Sequence, residues 1–535
     1  MSRAVRILLS LSSGVMLSLP WIGFPGWLLF VSFLPLLALE KFFTDQRSRF
    51  GSMAFWSHAF LAFLTWNALT TWWIIHATAI GAFLAIVANS LLMSVTLWLA
   101  HLVRRNSVGS MGYLSWIVFW LSFEFFHFHW DIEWPWLTLG NGFAENTRMI
   151  QWYEYTGVLG GSLWILGVNL LFFNILSVYA ETRRFITVRL KMILAVSLIL
   201  VPVILSLFIY SVFEESGKPL KVLIVQPNID PYSETYDEGA VNDKVAKFIR
   251  LTETALTPGV GLIIGPETVF EQQWEEDRIE SYPAFQAIQQ FSGYPGSPAV
   301  LIGGSTFRVY RDPEQKTATA RLTRDGSYAY DVFNTAIFSE GPGKVQTYHK
   351  SILVSGVEKM PFRKYLRFLD RLIIDLGGTT GTLGVQDAPE NFRTGEGDRL
   401  APVICYESVF GGYLTQFVRK GAGAVVIITN DGWWKDTPGY RQHFSFAKLR
   451  AIETRRFVAR AANTGISGII DQRGDVRAET EWWKEAVLEH EIMLSYRMTF
   501  YAVNGDYLGR ISMFISGLLV LYLLSAVIRK QKNPH

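Results

Sequence analysis

Residues 399–410, RLAPVICYESVF, contain the single cysteine of a 535-residue chain. Ala401 to Ile404 form a short apolar run ending at Cys405, and the polar pair Tyr406-Glu407 follows at once. Such a run, closed abruptly by polar residues, reads as a buried strand with a loop at its carboxyl end. A lone thiol has no partner for an intrachain disulfide and no companions for a cysteine-rich metal site. It is either a small buried hydrophobe, the usual fate of a free cysteine, or a reactive group.

Working outward, the same texture recurs from Lys221 onward. KVLIVQPNI, GLIIGPE, AVLIGGST, TAIFSE and AVVIITND are Val/Ile-rich runs that stop at Gly, Pro, Asn, Asp or Glu. Helical patterns lie between them at 243–256 and 446–463. Alternating strands and helices predict an α/β layered domain. In such sheets, reactive side chains gather where strands end. Glu267 closes LIIGPE, Cys405 closes PVIC, and Lys350 follows the strand-like TYH.

Those three residue types make a complete set for acyl transfer. A thiol with a pKa of about 8.5 is mostly protonated at neutral pH and needs a base or a cation beside it. Glu267 supplies a base. Lys350 supplies a cation for the thiolate and for a tetrahedral oxyanion, with a backbone N–H near Cys405 as second donor. Taken singly, each has an ordinary reading: core cysteine, loop glutamate, surface lysine.

Before residue 214 the chain is different. Half of all residues are hydrophobic and 15% are aromatic, and the mean hydropathy is +0.22, too apolar for a purely soluble enzyme. Runs near 7–22, 26–40, 54–73, 78–101, 112–128, 158–179, 192–213 and 510–528 are candidates for membrane spans, each needing about 20 residues. The rival reading of 1–22 is a cleaved signal peptide, against which the absence of a small-residue cleavage pattern speaks. Arg3, Arg6, Lys41, Arg47, Arg49, Arg104, Arg105, Arg183, Arg184, Arg189, Lys191, Arg529, Lys530 and Lys532 fall in alternate loops and at the ends. Arg148 alone sits in 129–156. This bias predicts eight spans with both termini cytoplasmic and residues 214–509 on the outer face. The expected division is 1–214 helical, 215–500 catalytic, and 501–535 a final span and tail. The net charge of +3 is small, and no basic block with interleaved aromatics points to nucleic acid.

The motifs around the three residues resemble the nitrilase superfamily: PE after an apolar strand, YHK with a glutamate eight positions on, and CYE after an apolar strand. IVQPNI (224–229), TNDGWW (429–434), QHFSFAKLRAIETRR (442–456) and ARAANTGISGIID (459–471) extend the match in order. A domain of that kind placed before the last of eight spans resembles the bacterial apolipoprotein N-acyltransferase family, as do EWPWLTLGNG (133–142), 151–169 and TFYAVNGDYLGR (499–510). The resemblance implies a polytopic helical bundle carrying an αββα sandwich, in the inner membrane with a periplasmic active site. It implies a phospholipid acyl donor, phosphatidylethanolamine in most members, and as acceptor the α-amine of a diacylglyceryl-cysteine on an apolipoprotein. No metal or other cofactor is implied. By the same resemblance Glu267, Lys350 and Cys405 are catalytic, with Glu358 and Glu407 as supporting acids. Trp433, Tyr236 and Asn430 fall on substrate-binding positions. Ser355-Gly356-Val357 replaces the usual Pro-Phe-Gly, and Thr499-Phe500-Tyr501 the usual Thr-Pro-Tyr, so loop geometry and substrate preference stay open.

Two alternatives remain at this level: a membrane-tethered amidase acting on a small outer-face amide, and a transporter or receptor with a degenerate outer domain. The segment 359–378, with Phe362, Leu366, Phe368 and Leu369 among basic residues, is either an interfacial helix or a packed amphipathic one. Glu124, inside an apolar run, is expected to face the bundle interior, for helix pairing or for a headgroup. His349 and His443 read as structural, and Trp72/Trp73 and Trp134/Trp136 as interfacial anchors.

Overall fold

The computed structural model describes every residue except 108–110, 233–237, 268–269, 313–315, 324, 360–381 and 533–535. Tyr236 and nearly all of 359–378 therefore lie outside the described residues. The chain divides into a unit of Met1–Ile75, Ala79–Val212 and Asn504–His535, and a second of His76–Thr78 and Phe213–Val503.

In the first unit, helices Arg3–Ser18, Leu34–Asp45, Met53–Thr71, Ala79–Asn106, Met111–His127, Val158–Thr182, Arg189–Val212 and Tyr507–Lys532 coincide with the eight apolar runs. Among the described residues, six stretches are long and apolar enough to cross a membrane: Arg3–Ile22, Gly26–Asp45, Ala79–Asn106, Val158–Thr182, Arg189–Val212 and Tyr507–Ala526. Met111–His127 is shorter, at 17 residues. The second stretch breaks at Phe33, since Pro35 brings no N–H to the first turn of Leu34–Asp45. Asn169 spans the break, accepting from Phe33 N at 2.9 Å and donating to Leu29 O at 2.7 Å. Apolar side chains face outward here, Leu190 and Phe514 among the most exposed, as expected of helices whose surroundings are lipid.

The aromatic anchors come out differently. Trp73 and Trp136 are buried and pack on each other at 5.1 Å, while Trp72 is exposed. Glu124 is buried, as expected, and its Oε1 accepts from Trp120 Nε1 and Leu139 N, both at 2.8 Å. It thereby fixes the 133–142 loop to its own helix.

The second unit has fourteen strands among the described residues: β1 (Lys218–Gln226), β2 (Leu262–Ile264), β3 (Phe270–Glu275), β4 (Ala299–Tyr310), β5 (Arg321–Leu322), β6 (Ala329–Ser339), β7 (Val345–His349), β8 (Phe392–Arg393), β9 (Arg399–Ile404), β10 (Ala424–Thr429), β11 (Val458–Ala462), β12 (Gly468–Ile470), β13 (Val476–Glu479) and β14 (Ala486–Leu494). One sheet runs β14-β1-β2-β4-β6-β5, with β3 on β4 and β7 on β6. The other runs β13-β12-β11-β10-β9-β8. Val222, Ile224, Leu262 and Leu301 of the first share one core with Val403, Ile404, Val425 and Ile427 of the second. Helices Glu238–Ala255 and Pro283–Gln289 cover the outer face of the first sheet through Val245, Phe248, Phe285 and Ile288. Gly411–Arg419 and Pro438–Thr454 cover the second through Leu414, Phe417, Ala447 and Ala451. This is the αββα sandwich expected. Strands covered on both faces are apolar along their length, which is why LII of β2, LAPVI of β9 and AVVII of β10 carry no polar residue.

Candidate active site

Three parallel-strand ends and one hairpin position the candidate side chains. β1, β2 and β4 run parallel in the first sheet, as do β9, β10 and β11 in the second. Glu267 follows β2, Cys405 follows β9, and Asn430 follows β10. Lys350 follows β7, which pairs antiparallel with β6 so that His349 stands opposite Thr335.

Glu267, Lys350 and Cys405 are all buried, and they are brought together. Lys350 Nζ lies 3.4 Å from Glu267 Oε1 and 2.8 Å from Glu358 Oε1. Burial works against the Lys350 ammonium, but the charges of Glu358 and Glu267, with a contribution from Cys405, outweigh it and hold the group above the ordinary lysine range. It is a fixed cation. Glu267 is oriented by two more donors: Asn334 Nδ2 at 2.7 Å on Oε1 and Asn430 N at 3.0 Å on Oε2. Glu358 takes Asn334 Nδ2 at 3.1 Å and Val354 N at 2.7 Å.

Cys405 opens a one-turn 3₁₀ segment with φ at +50°, a left-handed conformation that costs an L-residue roughly 1–3 kcal/mol. Glu407 holds that turn. Its Oε2 accepts from Ile404 N at 2.8 Å, and its Oε1 from Tyr348 Oη at 2.8 Å and Ser351 N at 2.7 Å. One carboxylate thus ties the cysteine loop to the lysine loop, and burial, opposed by those donors, pushes it up to about 7. Burial, then the charge of Glu267, push the Cys405 thiol well above its usual value, while Lys350 and the Thr429 hydroxyl draw it down. Burial and the neighbouring carboxylate thus favour the neutral thiol over the thiolate.

A second buried network backs the cysteine. Asp431 pairs with Arg460 and, at 3.0 Å, with His443 Nδ1. His443 Nε2 lies 3.2 Å from the Cys405 carbonyl and 3.0 Å from Ser408 Oγ. Burial opposes the Asp431 charge, but Arg460 and His443 prevail and hold it at about 2. His349 stacks on Phe333 at 4.0 Å and pairs with Glu276. Trp433 is 39% exposed and meets Tyr232 edge to face at 5.7 Å. Asn334, Thr429, Asp431 and Arg460 were not singled out by sequence reasoning. The signal available for Asn334 was an amide inside the apolar strand DVFNTAIFS, which needs a buried partner.

Residues 221–500 match the carbon-nitrogen hydrolase family model, and residues 13–171 match that of the apolipoprotein N-acyltransferase N-terminal domain. The chain is similar to proteins named apolipoprotein N-acyltransferase. That of Chlorobaculum tepidum is 30% identical, over 98% of this chain and 97% of the relative. That of Geobacter metallireducens is 28% identical, over 93% and 91%. Among solved structures, yeast Nit3 of the nitrilase superfamily aligns with 54% of this chain and 96% of its own, at 17% identity and a TM-score of 0.34.

Proposed function

The chain belongs to the apolipoprotein N-acyltransferase family, and we propose that it moves an acyl chain from a phospholipid to the α-amine of an apolipoprotein's diacylglyceryl-cysteine, with Cys405 carrying the chain as a thioester between two half-reactions. The observation that supports this most is the convergence of Glu267, Lys350 and Cys405, with Lys350 held between two carboxylates.

In the first half, the thiol proton passes to Glu267 as sulfur attacks the ester carbonyl. The Lys350 ammonium and a backbone N–H of the 405–409 turn take the oxyanion. The intermediate collapses, the C–O bond breaks, and the lysophospholipid leaves with the proton from Glu267. In the second half, the lipoprotein amine attacks the thioester, Glu267 takes a proton from nitrogen, and the C–S bond breaks to give an amide and the returned thiol. A thioester converts to an amide downhill, so neither step calls for ATP. Glu358 acts by holding Lys350, Glu407 by holding the turn, and Asn430 by fixing Glu267. Trp433 and Tyr236 are assigned, by the family resemblance, to substrate binding.

The donor is taken to be phosphatidylethanolamine. The distribution of Lys and Arg supports placing residues 215–500 on the periplasmic side of the inner membrane with both termini cytoplasmic. The relatives' names favour the transferase over the amidase alternative. Incubation with acyl-labelled phospholipid and no acceptor should accumulate label on the Cys405 peptide, read by mass spectrometry, and adding a diacylglyceryl-peptide should discharge it. A Cys405→Ser variant that keeps the wild-type transfer rate would remove the thioester from the reaction.

A further inference from the structure

Cys405 has a neighbour that the two half-reactions do not use. β9 and β10 run parallel with Ile404 opposite Ile428, so the next residues along, Cys405 and Thr429, leave the sheet side by side. Thr429 is fully buried. Its Oγ1 donates to Asp431 Oδ1 at 2.8 Å, and it lies close enough to the Cys405 side chain to favour the thiolate. A hydroxyl has one proton and cannot donate to both at once. Asp431 can release it, because the carboxylate keeps Arg460 on Oδ2 and His443 Nδ1 on Oδ1.

Resting on the reading of Cys405 as nucleophile, we propose that Thr429 is a further catalytic residue: its hydroxyl proton turns from Asp431 to the sulfur whenever the sulfur becomes an anion. That happens as the thiol proton passes to Glu267, and again as sulfur leaves the second tetrahedral intermediate. No proton changes owner in the rotation; the Thr429 O–H bond stays intact while its hydrogen bond moves. The charged groups acting on the sulfur are Glu267 from the end of β2, Lys350 from the end of β7 and Asp431 from the turn after β10, and Glu407 of its own turn faces the Ile404 and Ser351 N–H groups. Behind Asp431 stand His443 from Pro438–Thr454 and Arg460 from β11. Of these, Lys350 favours the anion, and Glu267 and Asp431 oppose it. The Thr429 hydroxyl adds a neutral donor beside Asp431.

Because the chain has one cysteine, iodoacetamide reports on Cys405 alone. In the full-length protein in detergent micelles, Thr429→Val should move the pH midpoint of alkylation upward by about one unit. Below the midpoint this is about tenfold slower alkylation, the size expected for losing a hydrogen bond to a charged group. Thr429→Ser should stay within about twofold of wild type, and all variants should melt within a few degrees of it. Should valine fail to fold, Thr429→Ala carries the same expected shift. An unshifted midpoint in a folded valine or alanine variant, or a serine variant as slow as valine, overturns the proposal. The acyl-labelling experiment fails independently: an unlabelled Cys405 with a shifted midpoint would sink the thioester route and leave the Thr429 contact standing.

Discussion

Both units bury polar side chains, and they do so in opposite ways. In the helical unit several act alone. Thr71, Ser90 and Thr96 each donate to a backbone carbonyl one turn earlier on their own helix, at 2.6–2.9 Å. Each is neutral and satisfied locally, as a side chain facing other helices in lipid must be. The catalytic unit adds buried charges that share partners: Lys350 with Glu267 and Glu358, Asn334 with the same two carboxylates, Asp431 with Arg460, His443 and Thr429. A locally tied hydroxyl can be removed at small cost. A shared charge cannot, because its removal leaves an opposite charge buried and bare. Burial alone does not mark function; sharing does. By that measure Glu40 stands out in the helical unit, taking Thr44 Oγ1 at 2.7 Å, His101 Nδ1 at 2.9 Å and Arg104 Nε at 3.0 Å.

The contrast is open to direct tests. Lys350→Met keeps the length and removes the cation, and should cut acyl transfer by a factor on the order of 10³. Two facing carboxylates are then unneutralised, which should lower stability by about 3–5 kcal/mol in thermal melts. A wild-type melt would mean the network is not shared as described.

A smaller effect belongs to acid. Asp431 sits at about 2 in the fold against an ordinary 3.8. Between those values the unfolded chain binds a proton that the native state refuses, so stability rises with pH across the window. The contribution is complete above 3.8 and is lost as pH falls through about 2, on the order of 2 kcal/mol in all. Asp431→Asn should flatten that limb of a stability-against-pH curve, and an unchanged limb would sink the assignment.

The smallest effect should come from the helical unit. Ser122→Ala breaks a 2.7 Å hydrogen bond to Ser516 between two helices and should cost only about 0.6 kcal/mol. A loss of several kcal/mol on unfolding in detergent would erase the distinction between the units.

The sandwich was legible because strands covered on both faces are apolar along their length, and such runs stop visibly at Glu267, Cys405 and Asn430. Lys350 was legible only as the end of a half-buried strand. Asn334 and Thr429 were not, since a polar residue within a strand declares its purpose only through a neighbour brought by folding; for Asn334 that is Glu267, 67 positions away. His443 read as structural and is fully buried, yet sequence could not show that its ring reaches the carbonyl of the cysteine. Trp73 and Trp136 misled because a rule for aromatic belts counts residues without knowing which way they face.

The pairing of β1 with β14 sets Lys218 opposite Leu494, so the polypeptide enters and leaves its catalytic unit at adjacent points, about 5 Å apart as Cα atoms across an antiparallel ladder. A segment with such neighbouring ends can be excised, rejoined through a short linker and reopened elsewhere, as a circular permutant requires. The same geometry lets a whole enzyme be spliced into one loop of a host without stretching it. This chain is built as though that transplant had already happened.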